Sequence, residues 1–202
     1  RLAELQRIPV TQLSEKELDR MTDGQRHQGV VASLGPHVMS TISDLVQSSD
    51  LPLIVALDGI EDPHNFGAIA RVAEAAGAAG LIVQTRRAAP LSAAAVRASA
   101  GALAHLRLSS VVNLARALGE LKAAGIWTVG LDVDSDHSIY DIDFRQPTAI
   151  IVGSEGRGLR RLVRERCDWR AALPMMGRVD SLNASVATGV ALFEAVRQRT
   201  RD

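Results

Sequence analysis

Thr148-Ala149-Ile150-Ile151-Val152-Gly153-Ser154-Glu155-Gly156-Arg157-Gly158-Leu159 decides the fold. A short, nearly continuous apolar run enters a turn holding three glycines, and a charged helical pattern comes next. A strand apolar on both faces belongs in a parallel sheet with helices on each side. The same alternation extends outward in both directions. Leu53 to Leu57, Leu81 to Gln84, Trp127 to Leu131 and Arg170 to Leu173 read as further strands. Helical spacing predicts helices over Asn65 to Ala76, Ala93 to Ala100, Asn113 to Ala124, Leu159 to Glu165 and Ser185 to Arg199. The expected class is therefore α/β, with a mostly parallel sheet covered on both faces.

Composition agrees with this. The 202 residues are 47% hydrophobic but only 3% aromatic, so the core must be built from Ala, Val, Leu and Ile. No apolar run reaches the roughly 18 residues of a membrane span, and no leader pattern opens the chain, so a cytoplasmic protein without a membrane partner is expected. The single cysteine, Cys167, and five scattered histidines have no metal-ligand spacing, and no metal is expected. Basic and acidic residues balance at 23 each, yet only Lys16 and Lys122 are lysines. The arginine bias suits planar contacts with phosphate, although genome base composition produces the same bias.

The first fifty residues read differently. Ser14 and Glu17 form a capping box that opens a short helix, Val30 to Leu34 reads as a strand, and Gly35-Pro36 marks a break after it. Ser40 to Gln47 adds a helix ahead of the first predicted strand. Residues 1–37 are too few to fold alone and are expected to be the tail of an N-terminal domain plus a linker, with the main domain over 38–202.

Three loops after predicted strands carry unusual chemistry, where open α/β sheets place ligands. The first runs from Asp58 to Gly67 and leads to Arg71. Asn65 is a candidate helix cap. Because it stands six positions before Arg71, about 240° around an ideal helix, Asn65 is expected to work from the loop and Arg71 from the helix. A cap and a surface salt bridge explain the same pair. The second loop is Gly153 to Gly158. Its glycine spacing fits neither a Walker A loop nor the dinucleotide fingerprint, and the Glu155 carboxylate would repel a polyphosphate. A favourable acid at a helix N-terminus is the plainer role for Glu155. The third loop is Met175 to Ala187, where capping explains one of Ser181, Asn183 and Ser185 but not all three. Leu182 and Leu173-Pro174 supply apolar walls suited to an adenine-bearing ligand. Between the second and third loops, Arg157, Arg161 and Arg164 fall at helical spacing, either as a basic stripe along an RNA backbone or as a solvated helix face.

Taken together, Asp62-Pro63-His64-Asn65 with Arg71, Val152-Gly153-Ser154-Glu155-Gly156 with Gly158, and Ser181-Leu182-Asn183 with Ser185-Val186-Ala187 resemble the three motifs of the SpoU/TrmH family of RNA ribose methyltransferases, in the SPOUT class. The resemblance covers roughly residues 50 to 199. His27-Gln28-Gly29-Val30-Val31-Ala32 and the ending Leu192 to Arg199 are most similar to the bacterial 23S rRNA guanosine-2′-O-methyltransferases, in which the His-Gln-Gly segment closes an RNA-binding domain similar to ribosomal protein L30e.

The resemblance implies S-adenosylmethionine as cofactor, an RNA substrate, a homodimer and a deep C-terminal trefoil knot. It also implies that Gly153, Leu173 and Leu182 bind the adenosyl part, with Leu131, Ser154, Met175 and Ser181 beside them. Arg71 would stabilise charge on the attacking ribose oxygen, because a guanidinium hardly deprotonates in a protein. Asn65 and Asn183 would position the ribose, and Glu155 would orient Arg71 or Asn65. Two rivals stay open: a noncatalytic RNA-binding paralogue, and a dinucleotide enzyme using Asp180, although that residue precedes a helix rather than ending a strand.

Overall fold

The computed structural model describes residues 6–24, 27–33, 35, 37–86, 88–89 and 91–200. It divides into two units, Arg1–His37 and Val38–Asp202.

In the first unit, helix α1 spans Glu15–Met21. The Glu17 carboxylate accepts from the Ser14 backbone N–H at 2.8 Å and from its hydroxyl at 2.6 Å, and these bonds hold its pKa below the usual carboxylate range. The strand expected over Val30 to Leu34 is absent from its described part, 30–33, while Leu34 and Pro36 lie outside the described residues. Gln28 and Gly29 adopt positive φ, and Val30 closes a turn onto the His27 carbonyl, which breaks the extended run at its start.

The second unit holds a seven-stranded sheet in the order β1-β4-β3-β2-β6-β5-β7, and every pairing is parallel. Its strands are β1 (Met39–Ser40), β2 (Leu53–Asp58), β3 (Gly80–Gln84), β4 (Leu108–Val111), β5 (Trp127–Leu131), β6 (Thr148–Gly153) and β7 (Trp169–Ala171). The helices are α2 (Ile42–Val46), α3 (Pro63–Ala75), α4 (Ala93–Ala98), α5 (Leu114–Ala123), α6 (Arg161–Arg166) and α7 (Ala184–Arg199).

Alternation along β2 builds the two cores. Leu53, Val55 and Leu57 face one way, packing with Phe66, Ile69 and Ala73 of α3 and Ala191 and Leu192 of α7. Ile54 and Ala56 face the other, meeting Leu118 and Leu121 of α5 and Val163 of α6. Side chains two apart along a strand share a face, so one apolar run serves both layers. α3 and α4 pack so closely that a Cβ on Gly67 would lie 2.6 Å from the Ala98 Cβ.

Two strands escape the hydrophobic pattern. β4 reads Leu-Ser-Ser-Val and β1 is two residues long; each is defined by a partner strand rather than by its own composition. The helix expected over Ser40 to Gln47 is shorter, because Thr41 caps it through the Asp44 N–H.

β2 and β6 lie side by side, in register from Leu53 with Thr148 to Asp58 with Gly153. From β2 the chain moves toward β3 on one side, while β6 leads to β7 beyond β5 on the other. The crevice at the carboxyl ends of such a seam is where open α/β sheets bind ligands.

Candidate functional site

The three loops meet at this seam. The α3 helix begins at Pro63, whose fixed φ suits the first turn, and Asp62 is the cap, accepting from the His64 N–H at 3.0 Å. Asn65 is thus neither cap nor loop residue: it sits in the first turn of the helix that also carries Arg71. Asn65 Nδ2 donates to Glu155 Oε1 at 3.1 Å. Asn183 Nδ2 donates to the same oxygen and, at 2.9 Å, to Asn65 Oδ1, and the Ala184 N–H approaches Glu155 Oε1 at 3.3 Å. Glu155 therefore stands at the N-terminus of α7, not at that of the helix following its own turn. Asn183 caps α7, its Oδ1 accepting from the Ser185 hydroxyl at 2.6 Å and the Ser185 N–H at 2.9 Å.

Among the described residues Arg71 is exposed, with no hydrogen bond or ion pair to Glu155. The Glu155 carboxylate is bonded by Asn65 and Asn183 instead. A cleft of about 270 Å³ opens between Ile60, Asp62 and Asn65 on one wall and Ser154, Glu155 and Arg157 on the other. Another, of about 360 Å³, lies at the opposite end of the strands beside Ser48, Gly77, His105 and Arg107, and none of the loop residues above lines it.

Of the apolar candidates, Leu131 ends β5 and Leu173 follows β7. Leu131 pairs with Ala171, and Leu131 and Leu173 are half-buried against the α3/α7 core. Met175 is half-buried and Leu182 exposed, while the Ser181 hydroxyl donates to Asp180. The Gly153–Gly158 turn closes through a bridge between Ser154 and Gly158, with the Gly158 N–H donating to the Ser154 carbonyl at 2.8 Å. A Cβ on Gly153 would overlap the Gly158 backbone, so only glycine lets the turn fold back on its own strand.

The basic stripe does not form. Arg157 lies in the turn, since α6 starts only at Arg161. Arg161 pairs with Glu165 at 2.7 Å on the exposed face, whereas Arg164 turns inward, its Nε 3.1 Å from the buried Asp132 carboxylate. Helical spacing alone does not reveal that the glycine turn consumes the residues before α6.

One group was invisible in the sequence. The Asp58 carboxylate, its side chain 0% exposed, accepts the Arg160 N–H and the Arg160 Nε, each at 2.7 Å, and the Arg160 guanidinium also donates to Gln84 at 2.7 Å. No local signal links positions this far apart; only adjacency of the strand ends does. Cys167 packs under α6, and burial pushes its thiol up to about 12, which keeps it protonated and inert.

A model of the SpoU rRNA methylase family matches residues 52–193. The chain belongs to this family. A second model, for the substrate-binding part of RNA 2′-O ribose methyltransferases, matches residues 1–37. This SpoU-family chain is 46% identical over 198 residues to the 23S rRNA (guanosine-2′-O-)-methyltransferase RlmB of Pseudomonas aeruginosa, covering 96% of this chain and 79% of that protein. It is 44% identical to the enzyme of the same name from Escherichia coli K12, covering 95% and 80%. Among solved structures, the AdoMet-bound rRNA methyltransferase of Sinorhizobium meliloti superposes with a TM-score of 0.78 at 30% identity, covering 91% of this chain and 70% of that one.

Proposed function

We propose that this protein transfers the methyl group of S-adenosylmethionine to the ribose 2′-hydroxyl of a guanosine in 23S rRNA, acting in the cytoplasm. The observation that carries this reading is the bonding of Asn65, Glu155 and Asn183, from three separate segments, into one network at the carboxyl ends of β2 and β6.

The residues present fit this cofactor. Leu131 and Leu173, aliphatic and half-buried at the end of β5 and just past β7, suit adenine, and the Glu155 carboxylate, hostile to phosphates, suits a cationic ligand. Gly153, Ser154, Leu131, Leu173, Met175, Ser181 and Leu182 would hold it. When bound it supplies a methyl group made electrophilic by a sulfonium. Asn65 and Asn183, held by Glu155, place the ribose for in-line attack. The exposed Arg71 guanidinium stabilises negative charge as it develops on the 2′-oxygen, and the proton passes to water or an RNA phosphate.

Arg157 and Arg161 are the exposed cations assigned to the RNA backbone; Arg164 acts from behind, bracing the segment after β5. The reading also carries a trefoil knot over the C-terminal strands and α7, and a homodimer beside the site. Exposed Val186 and Phe193 on α7, at 50% and 49%, support the second copy. Residues 1–37 then belong to an RNA-binding region.

Incubating the protein with rRNA fragments and labelled cofactor, then mapping the modified ribose, tests the reading. Arg71→Ala is expected to abolish transfer while cofactor affinity stays within about threefold. Methylation confined to tRNA would move the substrate but keep the reaction. Cofactor-independent RNA binding without transfer would make the protein a noncatalytic RNA binder.

A further inference from the structure

The glycine turn that carries Glu155 has little of its own to hold it. Three of its six residues are glycine, Gly156 and Gly158 adopt positive φ, and the internal tie is the Ser154–Gly158 bridge. A segment this rich in glycine loses much conformational freedom when ordered. Yet Glu155 must present one oxygen to both Asn65, in the first turn of α3, and Asn183, the cap of α7. Something outside the turn must set where it leaves the sheet.

Arg160, two residues past the last glycine, is that anchor. The same Asp58 carboxylate binds both its backbone N–H and its guanidinium, so main chain and side chain are fixed to one point. Gln84 takes a further guanidinium donor. Asp58 ends β2 and Gln84 ends β3, two neighbouring strands of the rigid sheet. The guanidinium fork fits this geometry because it offers several donors in one plane; a lysine ammonium would not reproduce it. Asp58 also lies immediately before the loop that delivers Asn65, so one carboxylate ties the Glu155 turn to the start of the segment bearing its partner.

We propose that Arg160 is a positioning residue for methyl transfer: held by Asp58 and Gln84, it fixes the exit of the glycine turn so that Glu155 bridges Asn65 and Asn183. This role rests on the methyltransferase reading given above. Arg160 acts through Glu155 and touches no reacting atom.

A double-mutant cycle between Arg160→Gln and Glu155→Gln tests it. Acting through Glu155, Arg160→Gln should lower kcat about tenfold or more with a smaller change in KM for the cofactor, and should add little once Glu155 is already Gln. Arg160→Lys should recover only part of the rate. Gln84→Ala, which spares the buried pair, should give a smaller loss of the same kind and serves if Arg160→Gln folds poorly. As a readout independent of turnover, the side-chain amide resonances of Asn65 and Asn183 should shift in Arg160→Gln toward their positions in Glu155→Gln. Losses that multiply fully, or amide resonances unmoved by Arg160→Gln and Gln84→Ala, would overturn the proposal. Inactivity of the unaltered protein would instead sink the methyltransferase reading, and the resonances would still decide the role of Arg160.

Discussion

Two carboxylates lie near the same pair of strand ends and live in opposite surroundings. Asp58 is sealed from solvent and bound to an arginine, whereas Glu155 is exposed and bound to two asparagine amides. A buried charge cannot lose its partner without leaving an uncompensated ion, so the first arrangement is stiff and costly to disturb. An exposed carboxylate can exchange its partners for water, so the second costs little to break but loses its geometry when broken. Losing the Asp58 pair thus costs mainly stability, whereas losing the Glu155 bonds costs mainly local geometry.

The largest effect is expected for Arg160→Leu. It leaves Asp58 buried without its cation and should lower the unfolding free energy by about 3 kcal/mol in urea titrations; a loss below about 0.5 kcal/mol would mean that the two acids do not differ as described. Glu155→Gln should do the reverse. Turnover is expected to fall on the order of 100-fold through misplacement of Asn65 and Asn183, while the urea midpoint stays essentially unchanged.

The same contrast recurs along α6. Arg164→Ala strips the buried Asp132 of one of its two arginines, Arg170 being 3.4 Å away, and should cost about 2 kcal/mol of stability by thermal unfolding. Arg161→Ala removes only an exposed pair one helical turn long and should change stability by less than about 0.5 kcal/mol. On the proposed function, its effect is expected in RNA affinity, with a shallower salt dependence as the signature. Equal thermal shifts for these two arginines would erase the distinction.

Much of the fold was legible because its strands announce themselves. The expected Trp127 to Leu131 matches β5 at both ends, and β2, β3 and β6 each extend a predicted strand by one residue. Buried parallel strands must be apolar on both faces, and that pattern needs no tertiary knowledge. β4 was lost because Ser109, though buried, is polar, and a strand supported by its neighbours need not advertise itself. At the site, Asn65, Glu155 and Asn183 were legible as separate oddities, each with an ordinary explanation. Their shared oxygen was not, and neither was the true cap of α3, since Asp62 and Asn65 suit that position equally well by residue type.

The parallel α/β layering, the glycine turn after β6 and the polar helix entry at Asn183 follow from local sequence, because periodicity, glycine freedom and capping act within a few residues. Glu155 meets α7 rather than its own following helix, Arg164 faces inward and Asp58 holds Arg160 through long-range packing. Those outcomes depend on which strand ends become neighbours, and strand order is set by packing two cores against one sheet, which no short window of sequence contains.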